Sequence, residues 1–199
     1  MMTAKRLTTR WRVAFVAMLA LAGAVQAQSN IAPLGTPAVS ATDPYWSNSP
    51  QGLNDGNIAW SDTAGLHVPM SAGAAKGWIT WAVDYDITSV KLHHCSAGAA
   101  YVAVDYTIEA LNAGGNPLND SDWTVVATIT GNTTAAPTHS FASVTTKGIR
   151  MNVTKEDPSS GGTLRFEELE VYGVAGADND PPTISTRIPA DDESSANPT

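Results

Sequence analysis

The heptapeptide Gly148-Ile149-Arg150-Met151-Asn152-Val153-Thr154 decides the fold class. From Ile149 onward its odd-numbered residues are apolar and its even-numbered ones polar. Successive strand side chains point to opposite faces, so this pattern describes an antiparallel strand with one face in a core and the other toward water. Moving outward, similar short runs recur at Trp78 to Val83, Val90 to His93, Tyr101 to Ala110, Trp123 to Thr130 and Leu164 to Tyr172. They are rich in Val, Ile, Thr, Tyr and Trp, the residues that fit a pleated surface. Gly, Asn, Asp, Ser and Pro punctuate them. In Tyr106-Thr107-Ile108-Glu109, Tyr106 and Ile108 share one face and Thr107 and Glu109 the other. The run Phe166-Glu167-Glu168-Leu169-Glu170-Val171-Tyr172-Gly173 is less clean. Simple alternation there groups Phe166 with Glu168 and Glu170, against Glu167, Leu169 and Val171. Long helical periodicity is missing, and many short strands predict an all-β sandwich or jelly roll.

The chain begins with four basic residues, Lys5, Arg6, Arg10 and Arg12, followed by an apolar run from Val13 to Val25 and the small-residue pattern Val25-Gln26-Ala27. This reads as a secretory signal peptide over residues 1–27. The alternative, an uncleaved anchor helix, has a short run for a span of about 20 residues. Cleavage near Ala27 directs the chain to the cell surface, the medium or the periplasm. It removes four of the 11 basic residues and none of the 19 acidic ones, leaving a formal charge of −12. Such a surface repels nucleic-acid phosphates and anionic membranes. The lone cysteine, Cys95, has no internal disulfide partner, so the fold stands on its core. Residues 28–174 form one domain, large enough for that. Residues 175–182 read as a linker of Gly, Ala, Asp, Asn and Pro.

Two distant acidic elements point to one hard-cation site. Near the start stands Leu53-Asn54-Asp55-Gly56-Asn57, followed by Trp60; near the end stands Glu168 inside a strand. Hard cations take six to eight oxygens from carboxylates, amides and carbonyls, and this turn offers all three. The plainer reading is an ordinary Asp-Gly turn with a solvated Glu. Candidate ligand contacts are Tyr45 and Trp46, adjacent aromatics in the polar loop Asp43 to Pro50, with His67, His93 and His94 as hydrogen-bonding partners. Aromatic faces suit the C–H surfaces of sugars, although Tyr45 or Trp46 could equally cap the core. His93 and His94 are neighbours in a strand and point to opposite faces. Trp78, Trp81 and Trp123 sit within strand patterns and read as core, and Trp60 as packing under the turn. Nucleophile elbow, His-Glu-x-x-His and phosphate-loop motifs are all missing. Glu168 and Glu170, about 7 Å apart along one strand face, are a weak glycosidic pair. The chain therefore reads as a binder and not an enzyme.

Taken in order, Asn30 to Ala38, Leu53 to Gly56 with Trp60-Ser61, Trp78 to Asp84, Tyr106 to Glu109, Trp123-Thr124, Ile149 to Met151 and Glu168 to Gly173 resemble the coagulation factor V/VIII type C, or discoidin, family. Within that group the nearest likeness is to bacterial family 32 carbohydrate-binding modules. The resemblance covers roughly Asn30 to Gly173. It implies an eight-stranded antiparallel jelly-roll β-sandwich, galactose-binding-like in type, that binds carbohydrate without catalysis. It further implies a structural Ca²⁺ held by the side chains of Asp55, Asn57 and Glu168 and by backbone oxygens near Gly52, Trp60 and Glu167. Where sugar-binding members often carry an Arg, this chain has His94-Cys95-Ser96. The alternatives are an adhesion or scaffold module for a protein partner, or an accessory domain of a larger secreted glycan-active enzyme. The stretch Pro182 to Asp191 resembles the opening of a bacterial immunoglobulin-like domain, so residues 183–199 read as the start of such a domain or as a disordered tail.

Overall fold

The structure is a computed structural model that describes residues 27–40, 49–58, 66–70, 74–94 and 101–176. Residues 1–26, where the signal peptide is expected, the tail, and Tyr45, Trp46, Trp60 and Cys95 lie outside the described residues. The described residues form eight strands: β1 (Ser29–Asn30), β2 (Thr36–Val39), β3 (Leu66–Pro69), β4 (Ala75–His94), β5 (Ala103–Leu111), β6 (Trp123–Ile129), β7 (Thr138–Glu156) and β8 (Thr163–Ala175). Among the described residues there is no α-helix, only short 3-10 turns. Every strand pairing is antiparallel. The order is β1-β8-β4-β7-β5-β6, with β2 added on β4 and β3 on β8. The eight-stranded antiparallel architecture is the one the sequence predicts.

Two long strands make the layers. The first part of β4 pairs with β2 and with Gly148 to Val153 of β7, whereas its later part, Tyr85 to His94, pairs with β8 and with Thr138 to Thr146 of β7. The register breaks between Thr80 and Tyr85. Such an irregularity bends a strand and increases its twist, so β4 and β7 pass from one layer into the other. A single apolar cluster joins both halves: Ile79, Ile108, Ile149 and Met151 from one, Val90, Leu92, Leu169 and Val171 from the other. Each such residue contributes about 1.5–3 kcal/mol on burial. β8 runs three residues past the predicted strand run Leu164 to Tyr172, and Ala175, read from the sequence as the first linker residue, pairs with Tyr85.

The alternation of Ile149, Met151 and Val153 puts all three in the core. The outer face is not open to water as expected: Arg150 is only 3% exposed and Glu109 5%. The segment between β5 and β6 folds back over this face. Trp123 stacks on the guanidinium at 4.6 Å. Arg150 donates through Nε to Glu109 at 2.6 Å and through Nη1 to Asp120 at 2.8 Å. Trp81 belongs to the main core, and its indole N–H donates to the Ile31 carbonyl at 3.0 Å. Trp78 and Trp123 instead form a second small cluster with Leu111 on the outer face.

In β8 the simple alternation fails. Phe166 and Leu169 are both in the core, with Glu167 and Glu168 between them. The cause is a bulge: His93 pairs with Glu168, but the next β4 residue, His94, pairs with Phe166. Glu167 is the extra residue, and one inserted residue shifts the period of everything beyond it. Phe166 thus leaves the face of Glu168 and Glu170 for the inner one.

Candidate functional site

The bulge in β8 meets the turn that follows the 3-10 segment Pro50–Leu53. Leu53 is fully buried and anchors this turn to the core. Asn54 is buried as well. Its side-chain amide donates to the carbonyls of Ala32 at 2.7 Å and Gly35 at 3.1 Å. Gly35 can sit there because it lacks a Cβ, which would meet Ile79 Cγ2 at 2.3 Å. Gly56 then turns the chain at φ 78°, a conformation that glycine adopts without penalty. The Asp55 carboxylate accepts the Asn57 backbone N–H at 2.8 Å, the usual role of Asp in such a turn.

The turn closes over Glu168. The Gly56 N–H donates to Glu168 Oε2 at 3.1 Å, joining residues 112 positions apart in sequence. Glu168 is 1% exposed and Glu167 3%. Both carboxyls are pushed up to about 7. For Glu167 the causes are burial and then the nearby Asp55 charge. For Glu168 burial is the largest cause and Asp55 and Glu170 add to it, while the Gly56 N–H pulls the other way. Among the described residues Glu168 Oε1 is buried with no hydrogen-bond partner, and a buried orphan acceptor costs about 1–3 kcal/mol. Asp55, Asn57, Gly52, Glu167 and Glu168 therefore fall in one neighbourhood. Among the described residues no three His, Cys, Asp or Glu side chains converge as a metal cluster, so a cation here needs backbone and amide oxygens besides the carboxylates. The donor set is all oxygen, the chemistry of a hard cation.

Beside this turn, on the outer face of β4 and β8, Glu170 gathers three partners. His93 Nε2 lies 2.5 Å from it, Lys91 Nζ 3.7 Å, and the Tyr172 hydroxyl donates to its other oxygen. This network was not legible in sequence, because it depends on which β4 residue stands opposite Glu170. The same holds for Asn54: an Asn-Asp-Gly triplet marks a turn, not which amide it buries. His94 faces inward, as its opposition to His93 requires, and stacks 5.4 Å from Phe166. Neither of its ring nitrogens has a partner among the described residues. Burial, then the charges of His93 and His139, lowers its pKa to about 4. His67 stands opposite Arg165 along β3. Of the predicted ligand contacts, Tyr45 and Trp46 are outside the described residues.

No protein-family model and no curated protein matches the chain. Solved structures do. A selenomethionine-labelled mutant of chitosan-binding module 1 from a Paenibacillus sp. IK-5 chitosanase/glucanase is similar at 24% identity and TM-score 0.59, over 73% of this chain and 99% of that one. The family 32 module of C. perfringens NanJ, solved with galactose, is similar at 18% identity and TM-score 0.58, over 73% of this chain and 98% of that one. The family 32 carbohydrate-binding module of Streptococcus pneumoniae EndoD gives 16% identity and TM-score 0.58, over 72% of this chain and 99% of that one. The described domain thus has the antiparallel β-sandwich fold seen in family 32 carbohydrate-binding modules, which is the discoidin-type, galactose-binding-like fold.

Proposed function

We propose that this chain is a secreted, non-catalytic carbohydrate-binding module whose sandwich is closed by a structural Ca²⁺. The observation that carries the binding assignment is that the similar structures named above are carbohydrate-binding modules matched over nearly their whole length. The polar loop with Tyr45 and Trp46 supplies the aromatic platform and His67 a hydrogen-bonding partner, whereas His94, expected from sequence in the same set, is 2% exposed and packed on Phe166, so it serves the core and not the ligand. Binding of the chain to a glycan array tests this. The expected result is enrichment of one sugar class, reduced at least tenfold by Tyr45→Ala or Trp46→Ala. An array without enrichment counts against the assignment.

The side chains of Asp55, Asn57 and Glu168 and backbone oxygens near Gly52, Trp60 and Glu167 would hold the cation. Bound there, Ca²⁺ supplies positive charge to two buried carboxylates and a partner for Glu168 Oε1. Its effect on stability has a definite sign. In the metal-free chain Glu167 and Glu168 favour the protonated form, and that contribution is present below about pH 4.5 and lost as pH rises through about 7. Ca²⁺ needs the ionised form, so binding releases protons and strengthens with pH. With Ca²⁺ at about 100 times its Kd, the stabilisation is about 2.7 kcal/mol, or roughly 5–10 °C in Tm. Chelator should lower Tm by that amount at pH 8 and far less at pH 5.5. Glu168→Gln should abolish the response. A melting curve at pH 8 that ignores both chelator and excess Ca²⁺ removes the site.

A further inference from the structure

We propose a second saccharide subsite on the outer face of the β2–β4–β7 layer, a groove of about 400 Å³ with Trp78 in its floor and the Lys76–Asp120 pair at its mouth. The proposal rests on the carbohydrate-binding reading above, and the residues that line the groove belong neither to the cation turn nor to the candidate contacts Tyr45 and Trp46.

The groove follows from the sheet register. Ala38, Trp78, Arg150 and Glu109 stand in one row across β2, β4, β7 and β5. Trp78 and Ala38 give that row an apolar end, and Leu118, 76% exposed, forms a lip over it. The polar end is built from beneath. The Arg150 side chain, 4% exposed, is fixed by Glu109 and holds Asp120 Oδ1 at 2.8 Å. Lys76 Nζ reaches both Asp120 oxygens, at 2.7 and 2.6 Å. The Asp120 carboxylate is thus set by two cations while 67% of its side chain remains open to solvent.

Asp120 helps neutralise the buried Arg150, but the exposed Lys76–Asp120 pair contributes only about 0–1 kcal/mol to stability, so folding gives little reason for Lys76 to be held there. Its chemistry suits a pyranose. The carboxylate accepts from one hydroxyl, the ammonium donates to the next, and the C–H face lies on Leu118, with only the edge of Trp78, 7% exposed, beneath it. The pair is neutral in sum, which favours an uncharged polyhydroxyl ligand over a polyanion. The volume falls within the range of ligand clefts, roughly 300–1,000 Å³.

The test is an NMR titration of the ¹⁵N-labelled full chain with galactose and, separately, with a glucosamine oligomer. The expected result is saturable shifts at the amides of Ser40, Lys76, Leu118 and Asp120 with at least one sugar. Leu118→Asp, at an exposed position that leaves Tm unchanged, and Lys76→Met should each weaken that binding at least tenfold. Saturable shifts elsewhere that Leu118→Asp does not alter overturn the groove and leave the carbohydrate reading standing. If neither sugar shifts any amide, both readings fail.

Discussion

Replacing Arg150 with methionine should destabilise the domain by about 3–5 kcal/mol, the cost of removing one partner from a buried ion pair. The Arg150 and Glu109 side chains are 4% and 7% exposed, and Nη2 lies 2.5 Å from Glu109 Oε2. Without the guanidinium, Glu109 keeps two donors on its other oxygen, the Thr107 hydroxyl at 2.7 Å and the Asn152 amide at 3.2 Å. Its negative charge has no counterion at that depth. The loss is therefore one of charge compensation as well as packing on Trp123. Glu109→Leu alone strands Arg150 in the same way, though Asp120 still accepts from Nη1, so its cost should be smaller. The double variant Glu109→Leu/Arg150→Met restores an apolar contact and should recover more than half of the Arg150→Met loss. Urea unfolding of the four proteins at pH 7 measures this cycle. Single-variant losses below about 1 kcal/mol would mean that water reaches the pair and that the face is not sealed as described.

The second large effect is loss of stability in acid through His94. Its ring is inside the sandwich with no hydrogen-bond partner among the described residues, and its pKa falls from 6.5 to about 4. The native state therefore binds fewer protons than the unfolded state between those values. The stability it contributes is fully present above pH 6.5 and is lost as pH falls through about 4. At about 1.36 kcal/mol per pH unit, the loss is about 3 kcal/mol. Glu167 and Glu168 act in the opposite sense in the metal-free chain, so the comparison is between wild type and His94→Leu under one chelator concentration. The variant should be at least as stable at pH 7, because it removes two unmet ring nitrogens. It should also be more acid-resistant, with the difference widening by about 3 kcal/mol from pH 7 to pH 4. Parallel pH curves for the two proteins would show that His94 is charged within the fold or reached by water.

Much of the sandwich was readable one strand at a time. Tyr106 and Ile108, and Ile149, Met151 and Val153, alternate in sequence and alternate in space, because strand period is local and each residue's side is set by its neighbours. Burial on the polar side was not readable. Arg150 looks like a solvent-facing residue until the segment carrying Asp120 and Trp123 folds across it. The Phe166 face was misplaced for a related reason: a bulge at Glu167 is defined by the opposite strand, and no feature of Phe166-Glu167-Glu168-Leu169 by itself announces the extra residue.

The candidate cation turn divides in the same way. By itself, the sequence determined the residue chemistry: strands of period two, an Asp-Gly turn able to take positive φ, and carboxylates at two distant positions. Only the tertiary structure decided that Gly56 reaches Glu168 across 112 residues, that one Glu168 oxygen is left buried without a donor among the described residues, and that His94 faces Phe166. Backbone preference and alternation act over a few residues, whereas register, bulges and desolvation exist only once a partner strand has docked.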